Sequence, residues 1–407
     1  MSEKCVFLHL KIMKQIVIRK GKERSLQRFH PWVFSGAVAR KDKGLQDGDI
    51  VEVTDQEGRF LALGHYANSS IMVRVFSFEP VEPDETFWRG KLQRALDYRR
   101  TIGLPTQQTT MFRLAHGEGD GLPGLIIDLY GDHAVVQCHS LGMYRMRDTF
   151  ARALQELLPD LRCVYDKSSQ TLNNACGIEV PDGVLAGILN PELVAQENGV
   201  PYKIDIVGGQ KTGFFLDQRD SRAMVEQYAA GKRVLNMFCY SGGFSSYALR
   251  GGATQVDSVD ISRSAIELTR QNVALLGPDC EQRHNACCED VFAFMEQQTE
   301  PYDLIVLDPP AFAKHLKVKD QGIKGYRTIN RKAMQLLKPG GFLFTFSCSQ
   351  AISLDDFRTI LFSAAALERK NVRVVHQMQQ APDHPVNIYH PEGAYLKGLL
   401  LAVGDEL

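Results

Sequence analysis

Two polar residues that follow apolar runs are the first candidates for chemistry in this 407-residue chain. Asp308 follows the run 304–307 and precedes two prolines, which cannot continue a sheet ladder and so hold the acid at the end of a strand. Cys348 follows the apolar run 342–346 and lies between two serines. A thiol just beyond an apolar run is a candidate nucleophile rather than a core residue. We expect both side chains to face one crevice.

A second group of residues has the spacing of a nucleoside site. The strand pattern 234–236 runs into a turn that contains Gly242, and glycine lets the backbone come close to a ligand. Asp260 ends the next strand, where a carboxylate accepts hydrogen bonds from ribose hydroxyls. Asp290 follows a third strand, where it either reaches an adenine amino group or caps the next helix. The full GxGxxG pattern is missing, which disfavours a dinucleotide site.

Strands and helices alternate from about residue 191 onwards. This alternation predicts an α/β fold, with a parallel sheet covered on both faces by helices and ligands at the carboxyl ends of its strands. One of its helices is predicted over 326–337. Short strand patterns within 13–78 predict a small β-rich domain, and a hairpin at 125–138 followed by a helix over 145–158 predicts a small α+β domain. The predicted divisions are an extension at 1–12 and domains at 13–85, 86–190 and 191–407.

The composition is that of an ordinary folded protein, with 44% hydrophobic and 23% charged residues. No run approaches the roughly 18 apolar residues that span a bilayer, and no signal-peptide core is present, so we expect a cytoplasmic protein without membrane contact. The nine cysteines have irregular spacing without CxxC or zinc patterns, which favours reduced thiols and no metal site. The first strand pattern begins after Met13, which is a candidate start of translation.

The formal net charge of −1 conceals two basic stretches. The first, 11–43, holds ten Lys or Arg residues against two acids, and the second, 311–338, holds eight against one. Either stretch alone is compatible with a solvated face. Two stretches, one of them beside the candidate nucleophile, favour a polyanionic partner such as nucleic acid.

Together these motifs resemble the S-adenosylmethionine-dependent methyltransferases, and Ser347-Cys348-Ser349 after a PGG strand is similar to the RNA cytosine-5 methyltransferases. Four further segments extend the resemblance, over nearly the whole chain from Met13, to the ribosomal large subunit methyltransferase I family. These segments are HPWVFSGAV at 30–38, EGDGLPG at 118–124, KTGFFLDQR at 211–219 and YLKG at 395–398.

The resemblance implies a small N-terminal RNA-binding PUA domain, a β-β-α-β-β middle domain and a Rossmann-like methyltransferase domain with a parallel-rich sheet. It implies S-adenosylmethionine as cofactor and, as substrate, one cytosine of 23S rRNA, free or in a large-subunit assembly intermediate; the oligomeric state is left open. The implied contacts are the cofactor pocket for Asn236, Phe238 and Gly242, the ribose for Asp260, the adenine for Asp290, and the methionine end for Lys211, Phe214, Asp217 and Arg219.

The chemistry of cytosine gives Cys348 and Asp308 distinct roles. Carbon 5 is a poor nucleophile until a thiolate adds to carbon 6, which only a nucleophile at the pocket mouth can do. Asp308 is expected to hydrogen-bond the amino edge and N3 of the base. Many related enzymes carry a second cysteine after the fourth-strand proline, where this chain has Pro310 and Ala311, so the agent that removes the carbon 5 proton is missing. His384 is a candidate, although a lone loop histidine is more often structural.

Two other functions remain open at this point. An amino-group methyltransferase for adenine or guanine also has an Asp-Pro-Pro segment followed by an aromatic residue, but it needs no thiol, and here Phe312 comes one residue late. An RNA-binding or assembly factor with a structural Rossmann-like domain would not bind S-adenosylmethionine, and Asp260→Ala would have no effect in it. Loss of product in Cys348→Ser separates the cytosine reaction from the first of these.

Overall fold

The computed structural model describes residues 13–313 and 315–406, which form two compact units. The first unit comprises 13–104, 112–190 and 383–393, and the second comprises 105–111, 191–382 and 394–406. The predicted extension at 1–12 and Lys314 of the second basic stretch lie outside the described residues. The predicted domain boundaries near 85 and 190 stay predictions.

The first unit begins with a six-stranded sheet. Its strands and one short helix are β1 (Lys14–Ile18), α1 (Arg24–Gln27), β2 (Trp32–Phe34), β3 (Val38–Lys41), β4 (Ile50–Thr54), β5 (Phe60–Tyr66) and β6 (Ile71–Ser77). The strand order is β2-β6-β5-β4-β1-β3, and β1 with β4 forms its parallel pair. In β4, buried Val51 and Val53 alternate with half-buried Ile50 and Glu52, the pattern of a strand with one face on a core. The strands predicted here are confirmed.

The rest of the first unit is built around a five-stranded sheet with the order β11-β10-β9-β8-β7. Its elements are α2 (Glu85–Thr101), β7 (Met111–His116), β8 (Leu125–Tyr130), β9 (His133–Cys138), α3 (Leu141–Arg145), α4 (Arg147–Leu157), β10 (Cys163–Asp166), α5 (Ser169–Cys176) and β11 (Gly183–Gly187). The β8–β9 hairpin is confirmed. The helix expected over 145–158 is confirmed as α4. The short helix α3 precedes it and was not predicted; its N-cap Ser140 accepts a hydrogen bond from the Met143 N–H.

The second unit contains the predicted alternation of strands and helices. Its elements are β12 (Val194–Glu197), β13 (Val200–Lys203), α6 (Arg219–Tyr228), β14 (Arg233–Met237), α7 (Gly243–Arg250), β15 (Gln255–Asp260), α8 (Arg263–Ala274), α9 (Pro278–Gln282), β16 (His284–Cys288), α10 (Val291–Gln297), β17 (Tyr302–Leu307), α11 (Lys319–Gln335), β18 (Leu337–Ser347), α12 (Leu354–Leu367), β19 (Lys370–Met378) and β20 (Lys397–Glu406). Apart from the β12–β13 hairpin, all the strands join one sheet.

That sheet has seven strands in the order β16-β15-β14-β17-β18-β20-β19. The first five run parallel, and β20 is antiparallel to both of its neighbours. The strand order reverses direction at β14 and β17, where an open α/β sheet leaves a crevice at its carboxyl edge. The fold therefore places the candidate chemistry at the carboxyl ends of β14, β15, β17 and β18.

Two apolar cores cover the two faces of this sheet. Within β17, Ile305 and Leu307 belong to one core, while Leu304 and Val306 belong to the other. All four are fully buried, which explains the uninterrupted apolar run that the sequence shows before Asp308. The run has to end where the strand leaves the cores, and a polar residue at that point faces the crevice.

The helix predicted over 326–337 begins earlier, at Lys319. Glycines near its start weaken the helical pattern, since glycine is a poor helix former. At Gly322 an added Cβ would lie 2.6 Å from the Ala313 Cβ, so the close approach of the helix to the segment after Asp308 requires glycine. The antiparallel pairing of β20 with β18 was also absent from the sequence prediction, which expected a parallel sheet.

Candidate active site

Asp308 and Cys348 end adjacent strands. Leu307 of β17 pairs with Thr345 of β18, so Asp308 leaves the sheet directly after its strand and Cys348 directly after the neighbouring one. Both side chains are half-buried. The structure thus places at neighbouring strand ends the two residues that the sequence analysis predicted to take part in the reaction, although they are 40 residues apart in the chain.

Asp217 is the third member of this group. Burial, together with the negative charge of Asp217, raises the pKa of Asp308 to about 7. The Gln218 Nε2 donates to Asp308 Oδ2 at 3.0 Å, and the Tyr395 hydroxyl donates to Asp217 Oδ2 at 2.6 Å. Asp217 Oδ1 is buried and has no hydrogen-bond partner among the described residues. Such an oxygen is costly unless a ligand supplies a donor.

The electrostatic surroundings of Cys348 oppose its ionisation. Burial raises the pKa of the Cys348 thiol to about 11, the negative charges of Asp308 and Asp217 add to this, and Lys211 acts in the opposite direction. A thiolate therefore needs compensating positive charge before it is populated near neutral pH.

The main chain around Cys348 is held firmly. Ser347 and Ser349 are fully buried. The Ser349 Oγ accepts a hydrogen bond from the Ala313 N–H at 3.2 Å and lies 2.9 Å from the Tyr326 hydroxyl. The turn that carries the thiol is therefore fixed to the segment after Asp308, which limits where the sulfur can point.

Asp260, the last residue of β15, accepts two main-chain hydrogen bonds at the carboxyl edge of the sheet. Its Oδ2 accepts a hydrogen bond from the Tyr240 N–H at 3.0 Å and its Oδ1 accepts one from the Ser262 N–H at 2.9 Å. Gly242 caps α7 with a φ of +74°, and a Cβ there would lie 2.6 Å from the Thr269 Cγ2. Asn236 is buried and donates to the Ser245 Oγ at 2.8 Å. These three predicted residues line the ends of β14 and β15.

Backbone strain is concentrated around the same crevice. Six described residues other than glycine have a positive φ, and three of them are Lys211 (53°), Phe238 (57°) and Tyr240 (48°). The Tyr240 hydroxyl accepts from the Gln210 N–H at 2.8 Å and donates to the Gly213 carbonyl at 3.2 Å. Strained backbone of this kind persists where surrounding contacts enforce it and is common at ligand sites.

Asp290 performs the capping role that the sequence left as one of two alternatives. Its Oδ1 accepts hydrogen bonds from the Phe292 and Ala293 N–H groups, and its side chain is exposed. Because Oδ2 has no partner among the described residues, capping leaves one oxygen for a ligand. Ile261, beside Asp260, is 72% exposed and offers an apolar surface next to this group.

Phe214 and Arg219 lie behind the crevice surface. Phe214 is 2% exposed, and its ring packs 4.7 Å from the Tyr202 ring and 4.8 Å from the Arg222 guanidinium. Arg222 in turn forms a buried bidentate pair with Glu197, both contacts at 2.7 Å. Arg219 is also buried, at the start of α6. Both residues are therefore buried, and their predicted contact with the methionine end of the cofactor stays a prediction.

The two basic stretches differ in the structure. In the first, most cations are exposed, namely Arg19, Lys20, Lys22, Arg24, Arg28, Arg40, Lys41 and Lys43. In the second, four of the seven cations that the structure describes form ion pairs, namely Lys319 with Asp356, Arg331 with Glu368, Lys332 with Glu296 and Lys338 with Asp303. The second stretch is therefore less positive than its sequence indicates, and the argument for a polyanion depends mainly on the first.

His384 belongs to the first unit, where it is buried. Its Nδ1 lies 3.1 Å from the Asp383 Oδ1, and its ring centroid lies 5.0 Å from that of His116. The Asp383 carbonyl accepts from Arg99 at 2.7 Å in the same unit. These are the contacts of a histidine with a structural role, as the sequence analysis favoured.

Comparison with known proteins finds relatives that match nearly the whole chain. A family described as S-adenosylmethionine-dependent methyltransferase matches residues 185–402, and a PUA-like domain family matches residues 16–78. Proteins named ribosomal RNA large subunit methyltransferase I from Klebsiella pneumoniae (strain 342) and Erwinia tasmaniensis are each 42% identical, over 96% of this chain and 99% of theirs. The chain belongs to the ribosomal RNA large subunit methyltransferase I family.

Solved structures similar to this member of the methyltransferase I family include a putative methyltransferase from Streptococcus mutans, with a TM-score of 0.82. Another is a putative methyltransferase complexed with SAH, with a TM-score of 0.83. Each is 25% identical and is covered completely, against 96% of this chain. The comparisons confirm the expected Rossmann-like methyltransferase domain, the PUA-like domain and S-adenosylmethionine as cofactor. Among the described residues no helix has the length and apolarity to cross a membrane, and no metal-ligand cluster is found.

The crevice residues fit S-adenosylmethionine. Three of the buried side-chain oxygens that lack hydrogen-bond partners among the described residues belong to the crevice group, namely Asp217 Oδ1, Gln218 Oε1 and Asn236 Oδ1. Unpaired acceptors of this kind suit the ammonium and hydroxyl donors of an amino-acid nucleoside. The sequence analysis gave no role to Gln218, Ile261 or Tyr395, although all three lie in segments that carry the family resemblance, because no local pattern shows that they reach the crevice.

We expect Asp260→Ala to weaken S-adenosylmethionine binding by about 10- to 100-fold, as expected for loss of a charged hydrogen-bond acceptor. Titration calorimetry measures the affinity, and thermal unfolding reports the stability lost with the Tyr240 and Ser262 contacts. Asp279→Ala, which removes an exposed acid of the same unit paired with Arg283, is the matched control. An Asp260→Ala affinity equal to that of the control variant would remove Asp260 from the cofactor site.

Proposed function

We propose that this chain transfers a methyl group from S-adenosylmethionine to carbon 5 of one cytosine in 23S rRNA, through a covalent adduct between Cys348 and carbon 6. The observation that carries the proposal is the grouping of Cys348 with Asp308 and Asp217 at the carboxyl edge of the sheet. An amino-group methyltransferase has no use for a thiol held at this point.

In the proposed reaction the Cys348 thiolate forms an Sγ–C6 bond, and the electron pair of the C5–C6 double bond moves to carbon 5. When bound, S-adenosylmethionine supplies the methyl group as an electrophile on a positively charged sulfur. Loss of the carbon 5 proton then restores the double bond, and the Sγ–C6 bond breaks to return the thiolate. Cys348 is thus regenerated, and its firmly held turn supports attack from one direction.

Asp308 is suited to assist addition at carbon 6. With a pKa of about 7 it is partly protonated near neutral pH. The protonated carboxyl can donate a hydrogen bond to N3 of cytosine and so stabilise the negative charge that develops on the ring. Gln218, which donates to Asp308 Oδ2, orients the carboxyl for this contact.

The contacts of Phe312 weigh against the amino-group alternative. An aromatic residue that follows Asp-Pro-Pro can hold a target base only if a face of its ring is free for stacking. Here the Phe312 ring is half-buried and packs against Tyr326, with ring centroids 4.8 Å apart. A residue engaged in this packing is poorly placed to stack on a base, which supports the cytosine reaction.

The substrate part of the proposal rests on the family and on charge. The relatives are named as ribosomal RNA methyltransferases, and the first basic stretch presents exposed cations within the PUA-like region. Lysine and arginine contacts to phosphate can offset the few kcal/mol that it costs to flip a base out of its stack. A cytoplasmic location, and domains at 13–85, 86–190 and 191–407, belong to the same proposal.

The direct test is to incubate the protein with labelled S-adenosylmethionine and unmodified 23S rRNA, and to identify the methylated nucleoside by mass spectrometry. The proposal expects 5-methylcytidine at a single position. Methylated adenosine or guanosine would support the amino-group alternative, and the absence of both product and cofactor binding would support a structural RNA-binding role. Free rRNA and isolated large-subunit precursors, assayed in parallel, identify the form of substrate.

A further inference from the structure

Lys397 is a buried cation beside the candidate nucleophile. It begins β20, lies opposite Ser347 in the antiparallel ladder with β18, and is 9% exposed. Its Nζ donates to the Ser349 carbonyl at 2.7 Å and to the Tyr395 carbonyl at 2.7 Å. The ammonium group is thus hydrogen-bonded to the carbonyl of the residue that follows Cys348.

The pairing of Lys397 is unusual for a buried charge. Among the described residues no carboxylate forms an ion pair with its Nζ. Two neutral carbonyls compensate only part of the cost of removing an ammonium group from water. Burial accordingly lowers the pKa of the amine, and the neighbouring Cys348 acts in the opposite direction. A missing anion next to a thiol indicates that the thiolate is the intended partner.

We propose that Lys397 is a positioning residue that stabilises the Cys348 thiolate and holds its turn for attack on the base. The thiol proton leaves to solvent, and the resulting sulfur anion pairs with an ammonium group already fixed by two carbonyl oxygens. The ammonium group of Lys397 supplies positive charge beside Cys348, where the carboxylates of Asp308 and Asp217 otherwise oppose ionisation of the thiol. The importance of this ion pair for catalysis rests on the proposed role of Cys348 in the reaction, whereas the formation of the ion pair does not.

The test measures the pH dependence of Cys348 alkylation by iodoacetamide in the full chain, followed by peptide mass spectrometry. Lys397→Met removes the charge and the hydrogen bonds, and Lys397→Gln removes the charge but keeps a donor. We expect both variants to react at least about tenfold more slowly than the wild type at about pH 8, because the thiolate is the reactive form. If Lys397 is purely structural, the pH profile of Cys348 alkylation in Lys397→Gln will equal that of the wild type. This result would overturn the proposal.

Lys91→Met is the matched control. Lys91 is a half-buried lysine of the first unit, and its Nζ also donates to a main-chain carbonyl, that of Gly121 at 3.0 Å. We expect its Cys348 alkylation profile to equal that of the wild type. An equal slowing in this control would show that the effect comes from general destabilisation and would also overturn the proposal.

A reciprocal measurement covers the case in which the Lys397 variants fail to fold. In Cys348→Ala, loss of the sulfur anion should lower the pH at which Lys397 becomes reactive towards acetic anhydride, since coupling between two sites is mutual. An unchanged profile would overturn the proposal. Neither measurement uses RNA or methyl donor, so their outcome is independent of whether Cys348→Ser loses methylation.

Discussion

Replacing Cys348 by serine is expected to lower kcat/KM for methylation by at least about 10⁴-fold, because a hydroxyl is a far weaker nucleophile towards carbon 6 than a thiolate. Binding of S-adenosylmethionine should stay within about twofold, since the proposed cofactor contacts belong to other residues. Transfer of labelled methyl to rRNA measures the first quantity, and calorimetry measures the second.

Cys176→Ser is the control for this prediction, because Cys176 is also a half-buried thiol but lies at the end of α5 in the first unit. Its activity should equal that of the wild type. Full methylation by Cys348→Ser would exclude the covalent route and move the assignment to the amino-group class. Trapping with an RNA that carries a 5-substituted cytosine should give a covalent complex with the wild type and none with the serine variant.

Asp308→Asn is expected to reduce methylation by about 10²- to 10³-fold and at the same time to stabilise the fold at alkaline pH. Activity falls because the amide cannot share a proton with N3 in the way proposed for the acid. Stability rises because burial and Asp217 raise the pKa of Asp308 from its ordinary 3.8 to about 7, so the folded chain carries an unfavourable charge above that pH. The full shift corresponds to up to ~4 kcal/mol.

The change in folding stability with pH follows from the difference in the pKa of Asp308 between the folded and unfolded states. A carboxyl whose pKa is raised on folding contributes stability that is fully present below pH 3.8 and is lost as the pH rises through about 7. Chemical denaturation should therefore show the variant more stable than the wild type near pH 8, with the difference vanishing near pH 4. Equal differences at both pH values would contradict the assignment.

Asp303→Asn provides a control of opposite sign on the same strand. At the other end of β17, Lys338 contacts Asp303 at 2.8 Å and the Arg233 N–H donates to it at 2.9 Å, and these hold the pKa of that carboxyl below its ordinary value. Its replacement should destabilise the fold near pH 8. The comparison separates the cost of placing an acid in the crevice from a general effect of removing a carboxylate from this strand.

Local features of the sequence were sufficient to locate the main chemical groups. The apolar run before Asp308 and the prolines after it mark the end of a buried strand, and the same reasoning applies to Cys348 after β18. The position of each strand end is indicated by residues adjacent in the chain. Because strands alternate with helices, the strands are parallel and their carboxyl ends lie at one edge of the sheet. The α/β fold and the nomination of Asp260 followed from the same kind of evidence.

Other features depended on contacts between distant parts of the chain. The Tyr395 hydroxyl meets Asp217 across 178 residues, and Gln218 meets Asp308 across 90. Lys397 lies opposite Ser347, the residue before Cys348, because β20 returns antiparallel beside β18, a pairing that no local pattern indicates. The ion pairs that neutralise four of the seven described cations of the second basic stretch likewise join distant parts of the chain.

The sequence by itself determined which residue types lie at strand ends, since runs of neighbouring apolar residues indicate the length and burial of each strand. Only the tertiary structure decided which charges face those ends. The protonation of Asp308 and Cys348 depends on desolvation and on the charge of Asp217 and, for Cys348, also on Asp308 and Lys211. Asp217 and Lys211 are far from Asp308 and Cys348 in the chain, so only the tertiary structure brings these charges together.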